Sequence, residues 1–134
     1  MSQAAIRVAI VDDDPAVRKA LARLLIAHSF DASTYESASD FLKSVVISAP
    51  ECLLLDVHMP NIGGTELQRY LRRAGITVPT VVMTAHDDPG IRDRCYTAGA
   101  AAFLVKPLSG ETLIGAIYAA TGRSPCSTAC AIDE

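Results

Sequence analysis

Short apolar runs alternate along this chain with longer stretches that repeat at helical spacing. The short runs lie at residues 6–11, 32–35, 52–55, 80–83 and 102–105. Their Val, Ile, Leu and Ala content, over such short lengths, suits strands. In the first intervening stretch Val17, Leu21, Leu24, Leu25 and His28 recur at i, i+4, i+7 and i+8, with Arg18, Lys19 and Arg23 on other faces. That pattern predicts an amphipathic helix.

Helix starts are marked by polar caps. Asp14-Pro15 and Asp88-Pro89 each offer a capping carboxylate followed by a proline suited to the first helical position. Ser37-Ala38-Ser39-Asp40 has the form of a capping box, and Ser109 precedes Leu113, Ile117 and Ala120. Gly75 and Gly99 sit where helices should end. The chain therefore reads as strand–helix repeated five times, an α/β domain with a parallel sheet and helices on both faces. The first, third and fourth strands are apolar throughout, as strands covered on both sides should be.

At 134 residues the length suits one domain, and 50% apolar with 20% charged residues is an ordinary globular balance. After about Thr121 the periodicity stops, so residues 1–121 are expected to form the domain and 122–134 a linker or tail. The net charge of −3 argues against a nucleic-acid-binding surface across the domain, and none is expected. No apolar stretch approaches the length of a membrane span, and the first residues lack the basic-then-apolar order of a secretion signal. A cytoplasmic protein is expected. Cys52 and Cys95 fall on apolar stripes, while Cys126 and Cys130 form a C-x-x-x-C pair near the end, read as idle thiols.

In an open parallel sheet, ligands bind beyond the carboxyl ends of the strands. There this chain carries Asp12-Asp13-Asp14, Asp56, Thr84 and Lys106. Three acids drawn together repel one another unless a cation joins them. Oxygen donors with open positions suit Mg²⁺, with Mn²⁺ as its substitute. A carboxylate beside such an ion can act as nucleophile towards a phosphoryl group, with Lys106 and Thr84 answering the phosphoryl oxygens. Singly, each residue has a plainer role: Asp14 a helix cap, Asp12 or Asp13 a solvated loop acid, Thr84 a strand-end hydroxyl, Lys106 a surface lysine. Their coincidence at four strand ends favours the site.

The motifs Ile10-Val11-Asp12-Asp13-Asp14, Asp56-Val57-His58-Met59-Pro60 with Gly64, Met83-Thr84-Ala85, and Lys106-Pro107 resemble those of bacterial response-regulator receiver domains. The wording is nearest the nitrogen-fixation regulator subgroup, and the resemblance spans roughly residues 6 to 121. It implies a flavodoxin-like fold with strand order 2-1-3-4-5. It also implies that Asp56 accepts a phosphoryl group from the phosphohistidine of a sensor histidine kinase. Asp13 would then hold Mg²⁺ directly, Asp12 directly or through water, and the backbone carbonyl of His58 would complete the protein's share. Thr84 and Phe103 would form the switch, although Phe103 also reads as a plain core aromatic. His58 and His86 would tune the lifetime of the phosphoryl group in a direction the residues leave open, and the Lys106–Pro107 bond would be cis. A partner-binding or homodimer face would form from the fourth helix, fifth strand and fifth helix.

Two other carboxylate or phosphate chemistries fit poorly. A haloacid-dehalogenase-like phosphatase needs a second acid two residues after its nucleophile, where His58 stands. A flavodoxin-like flavin carrier needs a Gly/Ser/Thr loop after the first strand, where three aspartates would repel the phosphate. The expectation is the receiver part of a transcriptional regulator. A stand-alone regulator and a docking module that needs no phosphate are the alternatives.

Overall fold

The computed structural model describes residues 5–57, 64–85, 88–106 and 108–122. Strands and helices alternate as β1 (Arg7–Val11), α1 (Pro15–Ala27), β2 (Asp31–Tyr35), α2 (Ala38–Val45), β3 (Cys52–Asp56), α3 (Gly64–Arg73), β4 (Thr80–Thr84), α4 (Pro89–Thr97), β5 (Ala102–Val105) and α5 (Gly110–Thr121). All pairings are parallel, in the order β2-β1-β3-β4-β5. The strands begin and end within one residue of the apolar runs.

Alternate side chains of each strand face opposite sides of the sheet, so apolar clusters form on both sides. On one side Val8, Ile10, Cys52, Leu54, Val81 and Met83 pack against Leu21 and Leu25 of α1 and Leu113 and Ile117 of α5. On the other, Ala9, Val11, Leu53 and Leu55 meet Phe41 and Val45 of α2 and Leu67 and Leu71 of α3. Val82 meets Ile91 and Cys95 of α4, with Phe103 half-buried beside them. The central strands β3 and β4 are buried at every position, whereas the edge strand β2 has three exposed positions and β5 has one, with the rest of both only partly buried.

The caps form as their residue types dictate. Asp14 accepts from the Ala16 N–H, Ser37 from Asp40, Asp88 from Gly90 and Ser109 from Thr112. Gly75 and Gly99 take the left-handed backbone that ends α3 and α4, at φ 75° and 104°. Gly122, read in the sequence as the first linker residue, takes the same role for α5 at φ 72°. His28 departs from the expected apolar stripe. It is exposed at the end of α1, and its Nδ1 bonds the Leu24 carbonyl at 3.0 Å, because a ring with two polar nitrogens gains more from water and a helix-end carbonyl than from the core. Among the described residues no helix is long and apolar enough to cross a membrane.

Candidate functional site

The strand register sets Val11 beside Leu55, Asp56 beside Met83, and Thr84 beside Val105. The carboxyl ends of β1, β3, β4 and β5 thus form one rim. Asp12 leaves β1 fully buried and is held from several directions. Its N–H donates to the Tyr35 carbonyl at 3.2 Å, and its Oδ1 accepts from the Asp14 N–H at 3.0 Å. Its carbonyl accepts from Arg18 Nη1 at 2.7 Å, and its Oδ2 pairs with Lys106 Nζ at 2.9 Å. The bonds to Oδ1 and Oδ2 compensate for the cost of burying the carboxylate.

Asp56 ends β3 with 5% of its surface exposed, and its Oδ1 lies 3.7 Å from Lys106 Nζ. Asp13 is exposed at the mouth. An oxygen from each of Asp12, Asp13 and Asp56 lies within 4.8 Å of the others, a grouping that could hold a metal ion. Thr84 ends β4 fully buried, and its carbonyl accepts from the Lys106 N–H at 2.7 Å, which fastens the lysine beside the threonine. Burial alone would lower the Lys106 pKa, but its bond to Asp12 and the charges of Asp56 and Asp12 outweigh that and raise it. The ammonium is therefore fully charged through the neutral range.

Lys106, with Arg18 seated on the Asp12 carbonyl, sets two positive charges against three carboxylates and leaves the pocket net negative. The donors are all oxygens, and Asp13 remains open to solvent, which fits a hard divalent ion that keeps part of its water shell. The rim thus holds a buried carboxylate, an ammonium within 4 Å of it and, at the end of β4, a buried threonine.

Of the sequence-predicted site residues, Asp12, Asp13, Asp56, Thr84 and Lys106 lie on this rim. Phe103 lies behind it, half-buried, with its ring 6.5 Å from that of Tyr96 and the Arg92 guanidinium 5.2 Å above it. His58, His86, Pro107 with its peptide bond, Gly63, Cys126 and Cys130 lie outside the described residues. Asp14 is a helix cap, as its plainer reading held. Arg18 was missed by the sequence reading, which saw only a polar helix face. Its position four residues after the Asp14 cap, one turn up the helix, is the signal that could have directed it back to the loop.

The response regulator receiver domain model matches residues 8–118. The response regulator protein TodT of Pseudomonas putida is 39% identical over 125 residues, covering 93% of this chain and 55% of that protein. The transcriptional regulatory protein FixJ of Azorhizobium caulinodans is 38% identical over 117 residues, covering 87% of this chain and 56% of its own length. The chain thus spans about half the length of these relatives. Among solved structures, the crystal structure of FixJ-N superposes with a TM-score of 0.84 at 34% identity, covering 92% of this chain and 98% of that one. On its fold, its acidic rim and these similarities, the chain belongs to the response-regulator receiver-domain family.

Proposed function

We propose that this domain takes a phosphoryl group onto Asp56 from the phosphohistidine of a sensor histidine kinase and relays the change to a partner. The observation that carries the reading is the convergence of Asp12, Asp13 and Asp56 within 4.8 Å, with Lys106 bridging Asp12 and Asp56. In the transfer an Asp56 carboxylate oxygen attacks phosphorus. The phosphorus–nitrogen bond breaks, and its electron pair leaves with the imidazole, which takes up a proton. Lys106 pairs with a phosphoryl oxygen and the Thr84 hydroxyl donates to another. Hydrolysis of the acyl phosphate later returns the carboxylate.

The donor set fits Mg²⁺, with Mn²⁺ as its substitute. Asp13, Asp56 and the His58 carbonyl would bind it, with Asp12 bound directly or through water. When bound, the ion offsets negative charge on the carboxylates and the phosphoryl oxygens. Thr84 is drawn towards the phosphoryl group and Phe103 follows. This alters the α4–β5–α5 face, which binds a partner or a second copy. His58 and His86 set how long the acyl phosphate lasts. Residues 1–121 are read as the receiver and 122–134 as a linker or tail.

Since the relatives include transcriptional regulators of which the match covers only 50–56%, the domain serves as the receiver of such a regulator in the cytoplasm. It makes no nucleic-acid contact of its own. Incubation with acetyl phosphate and Mg²⁺ tests the proposal by intact mass. A gain of about 80 Da, one PO₃H unit, is expected in the parent and not in Asp56→Asn. No gain in the parent would favour the docking module that needs no phosphate.

A further inference from the structure

Asp13 is the exposed carboxylate of the rim, and its place depends on the two peptide units that flank it. Each unit is planar from one Cα to the next, so holding one of its polar atoms restrains the Asp13 Cα as well. The following unit is held through the Asp14 N–H, which donates to Asp12 Oδ1 at 3.0 Å. The preceding unit is held through the Asp12 carbonyl, which accepts from Arg18 Nη1 at 2.7 Å. Of the two restraints, only the second comes from a side chain outside the acidic trio.

The anchor behind that restraint is rigid. The Arg18 N–H bonds the Asp14 carbonyl at 3.0 Å, and Leu21 and Leu25 seat the same helix on the sheet. Helical side chains lean towards the helix N-terminus, which points Arg18 back over the loop. Its half-buried guanidinium is planar and stays charged at any ordinary pH. Towards a divalent ion its two properties oppose each other, since the charge repels the ion whereas the bond orients a ligand. The charge acts beside an open mouth, where salt screens it over about 8 Å. Loss of an outer bond that orients a metal ligand weakens metal binding by about 10- to 100-fold. The bond is therefore the larger effect.

We propose that Arg18 is a positioning residue for the divalent ion: by bonding the Asp12 carbonyl it holds Asp13 in the orientation that ligates. The inference rests on the reading of the rim as a Mg²⁺ pocket. It adds that a cation on α1 strengthens the binding of another cation, the reverse of what its charge alone would do.

Calorimetric titration with Mg²⁺ alone, at about 0.15 M salt, tests this on the parent chain, Arg18→Met, Arg18→Lys, Lys19→Met and Asp13→Asn. Arg18→Met keeps the aliphatic stem but loses both the bond and the charge, and should bind Mg²⁺ at least about tenfold more weakly than the parent. Lys19 is the next residue and is exposed, so Lys19→Met removes the same charge without the bond and should bind no more weakly than the parent. Arg18→Lys keeps the charge with a single donor group and should fall between the parent and Arg18→Met. Unchanged or tighter binding by Arg18→Met, or an equal weakening in Lys19→Met, would overturn the proposal while leaving the pocket in place. A parent that does not bind Mg²⁺, or binds it no better than Asp13→Asn, would overturn the pocket and the proposal together.

Discussion

Lys106 faces two carboxylates, 2.9 Å from Asp12 and 3.7 Å from Asp56, while Asp13 adds a third negative charge close by. With no cation bound, that excess charge opposes folding. Asp13 is the exposed member, so it can lose its charge without leaving a buried cavity. Asp13→Asn should therefore raise the thermal midpoint in EDTA by on the order of 3 °C, from about 1 kcal/mol of relieved repulsion. The same change should weaken Mg²⁺ binding measured by calorimetry. A lower midpoint in EDTA would contradict the electrostatic account. Cys52 supplies a second test at this scale. Its burial pushes the thiol up to about 12, against a smaller opposing pull from its bond to the Leu53 backbone. The unfolded thiol loses its proton near about pH 8.5. Because the folded pKa is the higher one, stability is unaffected below the unfolded value and falls as pH rises from there towards the folded value. Urea unfolding at about pH 7 and about pH 10 should show the parent losing about 2 kcal/mol more than Cys52→Ala. Equal losses would refute it.

At the scale of elements, local chemistry set most of what the sequence could reveal. A cap needs only a polar side chain and the next turn of helix, so Asp14, Ser37, Asp88 and Ser109 were readable without knowledge of the fold. Strands β3 and β4 were readable because burial on both sides leaves no polar position in their middle. Contacts between distant segments were not. Nothing in the helical periodicity of α3 indicates that Gln68 would reach Cys95, 27 positions away. His28 was misread because its role depends on where a helix stops, and stopping points are the least certain part of a periodic pattern. Asp14 separates structural from chemical roles. Its carboxylate caps α1, while its bond to Asp12 comes from the main chain and survives a side-chain change. Asp14→Ala should cost about 1 kcal/mol in chemical denaturation and leave the mass gain from acetyl phosphate intact. Loss of that gain at unchanged stability would show Asp14 to be part of the site.

Across the whole molecule, the parallel sheet followed from the alternation of elements, whereas the order β2-β1-β3-β4-β5 came through family resemblance. That order matters because it sets β1, β3 and β4 side by side, which brings Asp12, Asp13, Asp56 and Thr84, far apart in the chain, to one rim. The candidate site was legible as a set of residue types at strand ends. Its charge balance and the support from Arg18 needed the three-dimensional arrangement. A switch built on this rim responds only as far as phosphorylation favours one conformation over another. The central claim, that Asp56 is the nucleophile in a cation-holding pocket, is tested most directly by locating the phosphoryl group. Borohydride reduces an aspartyl phosphate to homoserine, so the chain treated with acetyl phosphate and Mg²⁺ should carry homoserine at position 56 when sequenced by mass spectrometry. Homoserine at Asp12 or Asp13 instead, or none at any aspartate, would contradict the account.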